Sequence, residues 1–203
     1  KGNAELYVMD ADGANVKQIT TSAKSEFNPI WLNDGTIAFA RGTENGAQIF
    51  TIAIDGKNEK QLSNIDGGIE GFMLSPDQSK VVYAATIAKG KPADIEKLYE
   101  GLSSATGRIN EDLMYRHWDE WVDAIPHIYL ADFNNSKIEK GVDILEGEPF
   151  ECPMRPWGGL EQVAFSPDGK TIAYTCRKKV GKEYALSTNS DIYLYNIADK
   201  TVQ

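Results

Sequence analysis

The chain is poor in the residues that most chemistry needs. Of 203 residues only two are cysteine and two are histidine. The pair Cys152 and Cys176 has no spacing that suggests a zinc site, and two thiols fit an oxidising or a reducing compartment equally. They could pair if the loop holding Cys152 folds back on the strand ending at Cys176, or stand as two separate half-buried thiols. No run of about eighteen apolar residues occurs, so no transmembrane helix and no membrane insertion are expected. Twenty-one basic residues stand against thirty acidic ones, a formal charge of −9, so a nucleic-acid partner, which needs a concentrated basic surface, is not expected. The one basic cluster, Arg177, Lys178 and Lys179 with Lys182, reads as a solvated loop. The nucleophile elbow G-x-S-x-G is missing, and His117 and His127 have no surroundings that suggest a Ser-His-Asp triad. No catalytic residue, cofactor or metal is therefore assigned to this segment. The opening, KGNAELYVMD, does not begin with Met, shows no signal-peptide pattern and already reads as strand, which raises the expectation of an upstream part.

What the chain does have is a repeat. An aromatic-tipped strand running into an acidic or Asn turn occurs four times, at ELYVMDADGANVKQIT, QIFTIAIDGKNEKQLS, HIYLADFNNSKIEKG and DIYLYNIADKTVQ. Between them lies a strand, a tight turn and a second strand, at PIWLNDGTIAFA, FMLSPDQSKVVYA and VAFSPDGKTIAYT. Leu6 and Ile49 are 43 residues apart, and so are the turn residues Asp34 and Asp77. A unit of about this length, built from short strands with turn residues between, marks a β-propeller blade. In SPDG, Pro167 presets φ, Asp168 bonds back to the backbone and Gly169 takes the positive φ. Alternation places Val81 with Tyr83, and Ile172 with Tyr174, on one sheet face. The expected fold is all-β, a partial propeller of about three and a half blades of four-stranded antiparallel sheet, a fragment of a larger ring.

The period breaks twice. Ile49 to Ile128 exceeds one blade by about 36 residues, and Ile128 to Ile192 by about 21. The first excess, between Tyr83 and Ile128, predicts a helical insertion over residues 87–124 inside one blade. The second divides between EGEPFECPMRPWGG and RKKVGKEYALSTN. Pro92 suits a helix start and Gly101 its end. Further on, Met114, Trp118 and Trp121 at i, i+4 and i+7 predict the apolar stripe of a second helix. Asp112, Arg116 and Glu120 then fall on another face, with Arg116 between two acids. Three smaller signals stay open. DADGAN resembles part of a calcium loop, but Thr21 stands where the closing Glu belongs, and a hairpin turn explains it. RPWGG serves either as a substrate-facing loop, with Arg155 on a peptide carbonyl or carboxylate, or as a linker between blades. The pairs Gly67-Gly68 and Gly158-Gly159 suit tight crossings between blades.

These repeats resemble the TolB-type and peptidase propellers, whose blades carry SPDGKxIAY followed by IYxxDxDG. The run INEDLMYRHWDEWVDAIPHIYLAD is similar to a segment of the prolyl oligopeptidase family, in its dipeptidyl peptidase V or acylaminoacyl peptidase branch. The resemblance implies an N-terminal propeller that gates and orients peptide substrates for a C-terminal α/β-hydrolase domain absent from these residues. It also implies a periplasmic or exported location. In aminopeptidase members the propeller supplies acids that hold the substrate amine, whose three donors and full charge suit a carboxylate pair. Here the candidates are Glu120, Asp119 and Asp123, with Glu111 and Asp112 behind them. Trp118, Trp121, Tyr115 and Arg155 are candidates for the substrate pocket. The alternative is a stand-alone TolB-like propeller that binds a protein partner.

Overall fold

The computed structural model describes residues 2–89, 93–111 and 113–203. Its strands form consecutive antiparallel sheets. The first contains β1 (Tyr7–Val8) and β2 (Lys17–Gln18). The second is a meander of β3 (Glu26–Trp31), β4 (Ile37–Thr43), β5 (Gly46–Ile52) and β6 (Lys60–Gln61). The third orders β7 (Gly71–Leu74) and β8 (Lys80–Ala88) beside β11 (Ala124–Asp132) and β12 (Val142–Asp143). Between β8 and β11 the chain leaves the sheet and forms α1 (Ile95–Leu98), β9 (Arg116–His117) and β10 (Glu120–Trp121). The fourth sheet joins β13 (Val163–Phe165), β14 (Thr171–Cys176) and β15 (Asp191–Asn196), with α2 (Gly181–Leu186) between the last two. A bridge from Tyr195 to Val202 begins its outer strand. Two whole blades thus stand between parts of two others, as the repeat predicts.

The core lies between sheets rather than inside any one of them. Successive residues of the central strands are buried on both faces: Val81 and Tyr83 pack toward the second sheet, Val82 toward the fourth. Similarly, Ala38 and Ala40 face the third sheet, while Ile37 and Phe39 meet Ile19, Leu6 and Val8 of the first repeat. Burial of each large side chain contributes about 1.5–3 kcal/mol, so a single sheet leaves half of this gain unused until its neighbour stacks on it.

Polar side chains fix the stacking. Asn28, at φ +55° in the bulge of β3, accepts a 2.7 Å hydrogen bond from the Phe72 N–H of the next sheet. Gln78 fills the turn position that Gly169 fills one repeat later, at φ +57°. Its amide compensates by donating to Trp31 O and accepting from Asn33 N, tying that turn to the preceding blade. The crossing at Gly67-Gly68 is as tight as expected. A Cβ on Gly68 would stand 2.4 Å from Ala47 N, and one on Gly46 2.3 Å from Gly67 O. DADGAN is the hairpin turn joining β1 to β2, closed by hydrogen bonds from Asp10 N to Ala14 O and from Gly13 N to Asp10 O.

The insertion differs from the expected pair of helices. Its first helix is one turn, capped by Asp94; Pro92 lies outside the described residues. The proposed stripe of Met114, Trp118 and Trp121 is a β-hairpin instead, with His117 opposite Glu120 and Arg116 opposite Trp121. A helix of this length is marginal without packing on its apolar face, and of the three only Met114 is buried. The hairpin turns on Trp118 and Asp119 and gives each face a partner elsewhere. Arg116, expected between Asp112 and Glu120, lies over the Trp121 ring at 5.0 Å, and Asp112 is outside the described residues.

Candidate functional site

Antiparallel order sorts the connections by end. Links from first to second strand and from third to fourth lie at one end of a blade. Those from second to third, and from one blade to the next, lie at the other. The insertion, the crossover from β12 to β13 and the β14–β15 connection are all of the second kind. Both excesses over the period therefore emerge on the same face, where their side chains meet.

The meeting point is Glu151, a residue the sequence reading passed over. Its side chain is 1% exposed, and Oε1 lies 2.7 Å from His117 Nε2 of the hairpin. Oε2 accepts from the Tyr184 hydroxyl at 3.1 Å and from the Arg155 N–H at 3.1 Å. One carboxylate thus holds three segments together, which offsets its own loss of hydration. Burial, with the nearby Glu151 charge, pushes the Tyr184 phenol well up. His117, expected on a helix surface or hydrogen-bonded, is a bonded residue of the hairpin. The basic cluster is less solvated than expected. Lys178 pairs with Glu148 at 2.7 Å and lies 4.6 Å from the Tyr193 ring centre, and Arg177 stacks over Tyr184.

On top of this knot the hairpin leans against the RPWGG loop. Trp118 and Trp157 meet edge to face, centroids 4.5 Å apart and planes at 82°. Both remain open to solvent, 68% and 75% exposed. Trp118 also sits at φ +52°, at the first position of a two-residue hairpin turn that glycine usually occupies. The Asp119 and Glu120 side chains beside it are exposed, and their carboxylates form no hydrogen bond or ion pair among the described residues. The other candidates are engaged. Asp123 pairs with Arg108, whose guanidinium lies 4.3 Å from the Trp121 ring centre, and Tyr115 tilts against the same ring at 6.3 Å. Arg155 pairs with Glu70 across the blade boundary, which gives RPWGG the character of a linker. Burial nevertheless raises the Glu70 carboxyl, the Arg155 charge opposing it. The structure therefore brings Trp118, Asp119 and Glu120 to one open corner, and separates from it Trp121, Tyr115 and Asp123, which form an aromatic and ionic stack of their own.

His127 is fully buried, with Nδ1 2.9 Å from Asp143. Gln48 holds the equivalent place one blade earlier, where its amide binds Ser63 and Ile65. The dyad is a clasp between third and fourth strands rather than a reactive pair. Cys152 and Cys176, expected to be half-buried if separate, are free thiols with no exposure at all.

This arrangement of blades and insertion has close relatives. The chain is 48% identical over 198 residues to dipeptidyl-peptidase 5 of Porphyromonas gingivalis, covering 97% of this chain and 29% of that protein. The protein of the same name from Porphyromonas endodontalis is 40% identical, covering 99% and 29%. These likenesses are consistent with a propeller portion of the prolyl oligopeptidase family. The chain spans under a third of the length of these relatives. Among solved structures, acylaminoacyl peptidase of Pyrococcus horikoshii superposes with a TM-score of 0.56 at 14% identity, over 97% of this chain and 26% of that one. TolB from Agrobacterium tumefaciens gives 0.53 at 13% identity, over 100% and 56%, a likeness that concerns the fold alone. No family model matches.

Proposed function

We propose that this propeller portion gates and orients peptide substrates for the hydrolase domain of a dipeptidyl-peptidase-5-type serine exopeptidase. The observation that carries the reading is the 48% identity along nearly the whole chain to a protein of that name. The site supports it chemically. A peptide ammonium offers three donors and a full charge, and Asp119 with Glu120 offers exposed carboxylates without competing partners. Trp118 and Trp157 supply apolar surface for the adjoining side chain. Asp123 and Arg155, already in ion pairs, are assigned to holding the site in shape, and Trp121 with Tyr115 to supporting the hairpin. A periplasmic or exported location is part of the same proposal.

Glu120→Gln in the full-length protein tests it. A charge-assisted hydrogen bond contributes about 1.5–3 kcal/mol, so kcat/KM for free-amine dipeptide substrates should fall roughly 10- to 100-fold, mainly through KM. Substrates with a blocked amine should be unaffected. Equal kinetics of wild type and variant on free-amine substrates would remove Glu120 from the site.

A further inference from the structure

The chain has two cysteines, and folding brings both to the same place. Cys152 lies in the crossover after β12, its N–H bonded to Pro126 O at 2.9 Å, and Cys176 ends β14. Both belong to the apolar cluster between the third and fourth sheets, among Val82, Ile128, Ile172 and Tyr174. The Cys176 Sγ lies 3.4 Å from the carbonyl oxygen of Glu151, the residue joined directly to Cys152. That position sets the Cys176 sulfur beside the peptide unit that joins Glu151 to Cys152. The Cys152 thiol also senses its neighbour: after burial, Cys176 is the second cause raising it.

We propose that Cys152 and Cys176 are a disulfide-forming site that clasps the β12–β13 crossover to β14, directly beneath Glu151 and the Trp157 loop. The oxidant is a small disulfide such as oxidised glutathione, or a protein disulfide of the same class. One cysteine, as its thiolate, attacks that disulfide and expels one thiolate. The second cysteine, as its thiolate, then attacks the mixed disulfide and expels the other. Two protons and two electrons leave the protein, and the oxidant emerges as two thiols. The bond forms on the folding chain. Once folded, burial holds the Cys176 thiol up at about 12 and the Cys152 thiol higher still, leaving almost no thiolate to react. The clasp stabilises because it closes a loop of the unfolded chain around the segment that carries Arg155 and Trp157.

The test is made on the natural full-length protein, exported into an oxidising compartment, then acid-quenched, denatured, alkylated and digested. The expected product is a cross-linked peptide pair containing Cys152 and Cys176, lighter by two hydrogens than the separate peptides. In Cys176→Ser, Cys152 should instead be recovered alkylated or capped by glutathione. The thermal midpoint of the wild type should exceed by several degrees that of the same protein folded under reductant. Recovery of both wild-type cysteines alkylated, or each singly capped, would overturn the proposal. So would a cross-link that lowers the midpoint.

Discussion

Among single residues, Trp118 breaks the most local rules. A bulky side chain at φ +52° costs about 1–2 kcal/mol relative to glycine, and edge-to-face contact with Trp157 returns about 0.5–1.5 kcal/mol. The two nearly cancel, so stability alone does not account for a tryptophan at this turn. Trp118→Gly should fold at least as stably as the wild type, because strain and contact leave together. Trp118→Ala keeps the strain and loses the contact, and should be about 1 kcal/mol less stable than the glycine variant. Chemical denaturation of the three proteins checks the order; alanine equal to glycine would place residue 118 outside the left-handed region.

At the level of elements, the tight turns repeat one acid chemistry. Asp34, Asp77, Asp168 and Asp199 each accept the backbone N–H two residues on. All four carboxyls are held below their ordinary value, first by side-chain hydroxyls: Thr36, Ser75, Ser166 and Thr201 respectively. For Asp77 the value falls to about 2. A carboxyl lowered on folding contributes stability above its unfolded value of 3.8, and that contribution is lost as the pH falls through about 2. Asp77→Asn should therefore flatten the fall of the thermal midpoint between about pH 4 and pH 2. An unchanged slope would mean the turn does not hold its ionised form. Such turns, with period-two alternation around them, made the blades legible in the sequence, because turn and strand are set by neighbours in the chain. The hairpin at residues 116–121 was not legible for the opposite reason. Met114, Trp118 and Trp121 satisfy a helical spacing, and the contact that decides otherwise, His117 to Glu151, spans 34 residues. Glu151 left one local sign, an acid between Phe150 and Cys152 in the otherwise apolar residues 149–154.

Over the whole molecule, the stacked sheets and the added segments are separable. β8 and β11 pair from Lys80–Asp132 out to Ala88–Ala124, so the sheet closes beneath the insertion without needing it. Replacing residues 90–122 with an Asn-Gly turn should leave the β-sheet circular dichroism intact and cost a few degrees of thermal midpoint. Glu151 would keep Tyr184 and the Arg155 N–H as partners. In the full-length protein the same change should raise KM; loss of the folded signal would instead make the insertion part of the core. The Trp118–Trp157 pair carries a different consequence, an optical one. Two indoles 4.5 Å apart and nearly perpendicular couple as transition dipoles, giving a paired circular-dichroism band that a lone tryptophan lacks. Any event that lifts the hairpin from the loop uncouples them, so the protein carries a label-free reporter of the contact between hairpin and loop.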